Sequence, residues 1–214
     1  MKKIIVCSPS YDGAVRVEYM KSILRLTEYF RDSNIKFDLI VEKSTILHEM
    51  RSVMASKVLH DRHATHLLFI DTDMGFDVSA VRKMIDSGRD VIGCACPYRT
   101  IPLHENVNRP GESLRKTISK KLPYNVGFAP GTTEISIANG ICEVDRIGTG
   151  LLLISKHALK SMHATKRIED FKNKFPYNQW YDQEEYAGVF EHMKSDGYLF
   201  GEDYSFCMRW KTLC

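Results

Sequence analysis

The stretch His66-Leu67-Leu68-Phe69-Ile70-Asp71-Thr72-Asp73-Met74-Gly75 limits what this chain can fold into more than any other. A short apolar run of this kind reads as a buried strand, not a half-exposed one. It leads straight into two carboxylates spaced two apart. If the chain stays extended there, Asp71 and Asp73 point the same way. Two like charges side by side are unfavourable unless a cation sits between them. A hard divalent ion with oxygen ligands, Mn²⁺ or Mg²⁺, suits such a pair. The plainer reading makes both aspartates turn or cap residues ahead of the next helix.

The chain before this stretch alternates strand and helix. Lys3 to Ser8 reads as a buried strand, broken by Ser8-Pro9-Ser10-Tyr11-Asp12-Gly13, whose residue types favour turns and helix starts. From Ala14 to Arg31 the apolar residues Val15, Tyr19, Ile23, Leu26 and Phe30 recur at helical spacing. The loop between them reads either as a face that meets a nucleotide at the carboxyl edge of a sheet or as a plain connection. Lys36 to Glu42 is a second strand, and Ser44 or Thr45 can cap the helix that follows. That helix carries the stripe Ile46, Leu47, Met50, Val53, Met54 and Val58, with Arg51 at its edge. An arginine there is either a solvated, snorkelling side chain or a planar fork that reaches a phosphate or a base.

After Asp71, Asp77 suits the N-cap of a helix packing Ala80, Val81, Met84 and Ile85 and stopped by Gly88, which removes it from the candidate metal ligands. Asp90 to Cys96 is a fourth strand. Three strand–helix units followed by a strand give an α/β fold with a mainly parallel sheet. At 214 residues a single domain is the simplest count. A formal charge of +3 is too small to argue for nucleic acid or an anionic membrane as partner. Cys7, Cys94, Cys96, Cys142, Cys207 and Cys214 show no paired zinc-type spacing, and the first three fall in apolar segments as thiols of a reduced compartment. The apolar run after Lys2 and Lys3 is too short for a signal peptide or a membrane span, so the chain reads as soluble and cytoplasmic.

Beyond Pro97 the periodicity weakens through about residue 123, and a long functional loop is expected there. It holds Arg109, Arg115, Lys116, Lys120 and Lys121 against Glu112. It reads either as a basic lid over an anionic ligand or as a solvated surface. Glu134 to Val144 is expected to be a hairpin turning at Asn139-Gly140. Arg146-Ile147-Gly148-Thr149-Gly150 then bends into the apolar strand Leu151 to Ser155, the glycines allowing close backbone approach. Ser155 caps a helix running to about Arg167. Phe171, Phe175, Tyr177, Trp180, Tyr181 and Tyr186 read as stacking faces for a sugar or base, or as a second core cluster. At Gly201-Glu202-Asp203, Asp203 either caps a last helix with Tyr204, Cys207 and Met208 inward, or serves as a catalytic carboxylate that a helix N-terminus keeps ionised, or both. The chain, stopping at Cys214, reads either as a domain of a longer polypeptide or as one with a natural end there.

An Asp-x-Asp pair ending a strand after two strand–helix units, then a glycine-rich strand and a Gly-Glu-Asp helix start, resembles the GT-A fold of nucleotide-sugar glycosyltransferases over nearly the whole chain. In size and motif order the chain is similar to domains of large-DNA-virus capsid glycosyltransferases. The resemblance implies a mainly parallel, mixed sheet flanked by helices with a C-terminal hairpin and acceptor region. Residues 1–96 would form the nucleotide-binding half and 97–214 the acceptor-binding half. It implies that Ser8, Pro9, Ser10 and Tyr11 line a uridine pocket, with Arg51 near the base or diphosphate. Asp71, with Thr72 beside it, would contact the ribose or donor sugar. Asp73 would bind Mn²⁺ or Mg²⁺ directly, with Asp71 as the second carboxylate. Asp203 would deprotonate the acceptor hydroxyl, and Glu202 with Trp180 would hold the acceptor. The implied reaction is inverting transfer from a UDP-sugar to a glycan or glycoprotein. No nucleic acid or membrane span is involved, and further domains of the same polypeptide are possible partners. Asp-x-Asp after an apolar strand also resembles haloacid-dehalogenase phosphatases, but there it follows the first strand. A non-catalytic nucleotide- or glycan-binding module is the remaining alternative.

Overall fold

The structure is a computed structural model that describes residues 1–98, 111, 113–165, 168–174 and 180–213. In chain order the first elements are β1 (Lys3–Ser10), α1 (Val17–Asp32), β2 (Lys36–Lys43), α2 (Leu47–His60), β3 (His66–Ile70), α3 (Val78–Asp86) and β4 (Val91–Gly93). Then come α4 (Leu114–Lys121), β5 (Val126–Gly127), β6 (Arg146–Ile147), β7 (Leu151–Ser155) and α5 (Lys156–Ala164). The last are β8 (Asp170–Lys172), β9 (Glu185–Ala187), β10 (Met193–Ser195), β11 (Tyr198–Phe200) and α6 (Glu202–Lys211).

The central sheet has the order β2-β1-β3-β7-β4. β1 pairs in parallel with β2 and β3, whereas β7 runs antiparallel to both β3 and β4. The sheet is therefore mixed, and one of its inner strands comes from the second half of the sequence. An apolar run buried on both faces looks the same in either direction, so Leu151 to Ile154 carried no signal of its orientation. The reversal has a consequence for function. The end of β3 and the start of β7 lie at the same edge of the sheet.

Alternate residues of each strand feed two cores. Ile5, Cys7, Leu67, Phe69, Leu152 and Ile154 pack with Met50, Met54, Leu159 and Phe206 on one face. Ile4, Val6, Leu68, Ile70, Leu151 and Leu153 pack with Leu26, Phe30, Val81 and Met84 on the other. Each such side chain, fully buried, contributes roughly 1.5–3 kcal/mol of transfer free energy.

The expected N-caps Asp77 and Ser155 form, accepting from Ser79 N and Ala158 N. The α2 start differs from expectation. Ile46 holds the N-cap position without a side-chain bond, and Ser44 Oγ instead accepts from Ile46 N at 3.1 Å. α2 is buried nearly all round, because β9 and α5 pack against it as well as β1 and β3 of the sheet. Its buried serines are used as fasteners. Ser52 Oγ accepts from Phe190 N and Ser56 Oγ from Ala187 N, both at 2.9 Å. These two bonds fix segment 187–190 and hence the approach of the chain to α6.

Several expectations fail beyond residue 97. Part of the expected long loop is the helix α4, started by Ser113, whose side chain accepts from Lys116 N. Its eight residues give too little length for apolar periodicity to show. Arg109 and Glu112 of the expected basic lid lie outside the described residues, as do Phe175 and Tyr177. Asn139 and Gly140 make the expected turn with positive φ, and Ala138 and Ile141 bridge across it. Among the described residues no paired strands extend it, and Ile135 and Ile137 stand exposed. The paired hairpin is instead β10–β11, turning at Asp196-Gly197 with φ of 51° and 81°. α5 ends at Ala164 rather than near Arg167. Among the described residues no helix is long and apolar enough to cross a membrane.

Candidate functional site

Three chain segments converge where β3 ends. β3 stops at Ile70, and Met74 N donates to Asp71 O at 3.2 Å, so Asp71 to Met74 is a turn. The extended-chain rule that would point Asp71 and Asp73 the same way therefore does not reach them. Asp71 N donates to Gly150 O at 3.0 Å, which joins this turn to the glycine bend before β7. Thr72 O accepts from Arg16 N at 2.9 Å and so anchors the start of α1 to the same turn. Asp73 is exposed on it.

Arg51 of α2 binds the turn to the far end of the chain. Its side chain is only 6% exposed, with Nη2 3.0 Å from Asp71 Oδ1 and Nη1 paired with Glu202 Oε1. Its Nε is buried without a hydrogen-bond partner. A charge removed from water must be paired, and a planar guanidinium can serve two carboxylates at once. Arg51 is thus neither solvated nor snorkelling. Glu202 also faces His192, with Oε2 3.9 Å from Nε2, and the His192 ring lies 4.6 Å from that of His48. His48 in turn faces Glu191 at 3.7 Å.

Gly201, not Asp203, is the N-cap of α6, and Glu202 and Asp203 occupy its first turn. The inner face of α6 holds Ser205, Phe206, Cys207 and Arg209 rather than Tyr204 and Met208. Asp203 Oδ1 accepts from Tyr204 N at 2.8 Å. The helix N-terminus expected to keep Asp203 ionised meets an opposing influence. Burial, followed by the neighbouring Glu202 charge, pushes its carboxyl above the ordinary carboxylate value, against the opposing pull of the Tyr204 amide and Arg51.

The glycine bend connects these carboxylates. A Cβ on Gly150 would lie 2.9 Å from Met74 Sδ, 3.2 Å from Cys96 Sγ and 3.6 Å from Asp71 Oδ2. One on Gly148 would lie 2.2 Å from Asn125 Nδ2 and 3.2 Å from Asp203 Oδ2. Close approach, anticipated from the two glycines, is what the bend provides, and the segments it admits are the two acidic ones. Burial pushes the thiol of Cys96 beside it up to about 12, far from the thiolate a reactive cysteine needs.

The residues expected to line a nucleotide pocket divide. Ser8, Pro9 and Ser10 are buried. Ser8 Oγ accepts from Tyr19 OH at 2.7 Å, and Ser10 Oγ accepts from Gly13 N and donates to Ala14 O, both at 3.0 Å. These hydroxyls shape the loop, while Tyr11, 66% exposed, presents its ring to solvent. Trp180 donates from Nε1 to Glu42 Oε2 at 2.9 Å and packs on the Val53–Tyr181–Tyr186 cluster. That is the core reading of the aromatic stretch rather than a stacking face beside Glu202. His48, Asn125, His192 and the Arg146–Tyr204 pair, whose guanidinium carbon stands 4.7 Å over the ring, had no distinguishing sequence signal. Each is isolated in the sequence, and only the fold gathers them.

Among the described residues no three His, Cys, Asp or Glu side chains assemble into a group able to hold a metal. No family model matches the chain, and no curated protein is similar to it in sequence. Among solved structures, the chain is similar to one titled "Crystal Structure of A197 from STIV", with a TM-score of 0.49 and 18% identity. The match covers 99% of this chain and 78% of that one. A likeness this remote bears on neither the activity nor the fold type.

Proposed function

We propose that this chain is a GT-A-type glycosyltransferase that moves a sugar from a nucleoside-diphosphate sugar, UDP foremost, to a glycan or glycoprotein hydroxyl with inversion. The observation that carries the reading is the double ion pair of Arg51 with Asp71 and Glu202. It holds the Asp71-Thr72-Asp73 turn beside Gly201-Glu202-Asp203, a helix start 151 residues further along than Arg51. The two halves of a transferase site, a donor-diphosphate anchor and a base for the acceptor, would then share one edge of the sheet.

Each residue has a task on this reading. Asp73, exposed on its turn, offers hard oxygen donors. Asp71 is committed to Arg51 through Oδ1 and is the lesser ligand. Such a donor set fits Mn²⁺ or Mg²⁺ completed by diphosphate oxygens and water. When bound, the cation would neutralise charge developing on the leaving diphosphate. Arg51 keeps Asp71 and Glu202 fixed. Asp203, whose raised proton affinity brings it nearer the working pH of a base, accepts the proton of the acceptor hydroxyl. Tyr11 offers a ring face to the nucleotide base. A phosphatase of the haloacid-dehalogenase type would need the first aspartate free to attack, and the pairing of Asp71 with Arg51 disfavours that.

The test is a panel of UDP-, GDP-, dTDP-, ADP- and CMP-activated sugars with Mn²⁺, following release of the nucleotide. One donor is expected to be hydrolysed slowly and only while the divalent ion is present. Metal-dependent nucleotide binding with no release from any donor would instead establish a non-catalytic binding module. Proton NMR of the product is expected to show the anomeric configuration opposite to the donor's.

A further inference from the structure

We infer that two copies of this chain associate through the edge strand β2, aligned antiparallel about a two-fold axis at Leu39. The inference stands apart from the glycosyl-transfer reading. β2 is the outer strand of the sheet and has eight residues, long for an edge strand. Lys36 N donates to Lys2 O and Ser44 N to Ser10 O, so the even-numbered residues turn their backbone groups toward β1. The N–H and C=O groups of Phe37, Leu39 and Val41 therefore point away from the sheet, and no described strand pairs with them. Such a row is a template for another strand.

Of the registers open to a second copy, one is self-complementary. Antiparallel pairing through the outward groups must match odd-numbered residues with odd-numbered ones. With Leu39 opposite its own copy, Phe37 meets Val41 and Lys36 meets Glu42, each twice by symmetry. Glu42 accepts from Trp180 Nε1 and from Lys43 N, two neutral donors that hold its carboxylate in place. Asp38 is paired with Lys3 at 2.8 Å and brings no bare charge against Ile40 of the copy. The next register in one direction sets Asp38 against Glu42, and the next in the other sets Asp38 against Asp38. Like charges directly opposite are destabilising, so both are disfavoured.

The surface that would be covered is apolar. Phe37, Leu39 and Val41 share the side of the strand on which α1 packs, as the Phe30–Phe37 ring contact at 5.4 Å shows. Leu39 and Val41 are 42% and 41% exposed. On the same side, α1 carries Val17, Met20 and Leu24, exposed at helical spacing. Ser22, bonded to Phe76 ahead of α3, marks the flank of α1 turned to the middle of the sheet. The Val17–Met20–Leu24 stripe lies on the opposite flank, toward the β2 edge. Joining the copies covers both stripes together. The two carboxyl edges then lie at opposite ends of the joined sheet, so each Asp71-Thr72-Asp73 turn stays open.

Sedimentation equilibrium over about 1–100 µM tests this with wild type, Lys36→Glu, Glu42→Lys and an equimolar mixture of the two variants. Wild type is expected to dimerise within that range. Either variant alone sets two like-charge pairs across the axis and is expected to associate at least about tenfold more weakly. The mixture restores two opposite-charge pairs and is expected to recover wild-type association. A wild type that stays monomeric, variants that dimerise as tightly as wild type, or a mixture no tighter than its components each overturns the inference. Should a variant misfold, amide hydrogen exchange of the wild type answers the same question. The Phe37, Leu39 and Val41 amides are expected to exchange more slowly at about 100 µM than at about 1 µM, and a dimer that leaves them unchanged contradicts the proposal.

Discussion

Arg51→Met is expected to lower the stability of the folded chain by about 3 kcal/mol, read as a shift of the denaturant midpoint at neutral pH. Arg51 is nearly excluded from water and is paired with both Asp71 and Glu202. Removing it leaves two carboxylates partly desolvated and near each other with no cation. The cost comes from those stranded charges more than from the lost attraction, because an intact buried pair is itself of little net benefit. The thermal midpoint should fall by roughly 6–12 °C for a domain of this size. Arg51→Lys should recover only part of the loss, since one ammonium cannot reproduce a fork bonded to two carboxylates. Adding Glu202→Gln to Arg51→Met should restore stability relative to the single variant, because it removes one of the two stranded charges. A midpoint unchanged in Arg51→Met would show that this network contributes nothing to the fold.

Asp203→Asn is expected to reduce sugar transfer by roughly a hundredfold or more while leaving nucleotide binding intact. Asparagine keeps the size of the side chain and cannot accept a proton at any working pH. The same substitution should raise the thermal midpoint at neutral pH. Asp203 holds its proton more tightly in the folded chain than the ordinary carboxylate does, first through burial and then through Glu202. Its contribution to stability is therefore fully present below the unfolded carboxylate value, about pH 4, and is lost as pH rises through the folded value. Above that window the ionised carboxylate destabilises the fold, and the neutral amide removes the penalty. The stability difference between variant and wild type should accordingly shrink as the pH is lowered toward about 4. Loss of transfer with an unchanged or raised midpoint marks a residue kept for chemistry rather than for folding. Transfer close to wild type would remove Asp203 from the mechanism.

The strands were legible where burial leaves a compositional trace. Lys3 to Ser8, Lys36 to Glu42 and Thr65 to Asp71 are apolar or alternating runs bounded by turn residues, and each forms a strand of the central sheet, the third over His66–Ile70. The caps at Asp77 and Ser155 were legible for the same local reason. What escaped depended on distance along the chain. The antiparallel insertion of β7 between β3 and β4 is a pairing choice, and no residue of Leu151 to Ser155 records it. The burial of Arg51 depends on Glu202, and neither residue signals the other. Ser8 and Ser10 illustrate the opposite error. Polar residues in a loop at the carboxyl edge suggest a ligand, but their hydroxyls are consumed by Tyr19, Gly13 and Ala14. The β10–β11 hairpin was hidden because the arm Met193-Lys194-Ser195 has almost no apolar alternation, although Asp196-Gly197 is a strong turn pair. For the site, the sequence named Asp71, Asp73, Arg51, Glu202 and Asp203 separately. The fold adds the Arg51 bridge and the glycine bend between them.

The central claim is that a sugar nucleotide binds at the Asp71-Thr72-Asp73 turn through a divalent cation. Calorimetric titration of UDP, GDP, dTDP, ADP and CDP into wild type and Asp73→Ala, each with Mn²⁺ and again with chelator, measures this most directly. The account predicts that one diphosphate binds wild type only when Mn²⁺ is present, and that Asp73→Ala abolishes that binding. Binding that persists undiminished in Asp73→Ala, or no metal-dependent binding of any diphosphate to wild type, would contradict it.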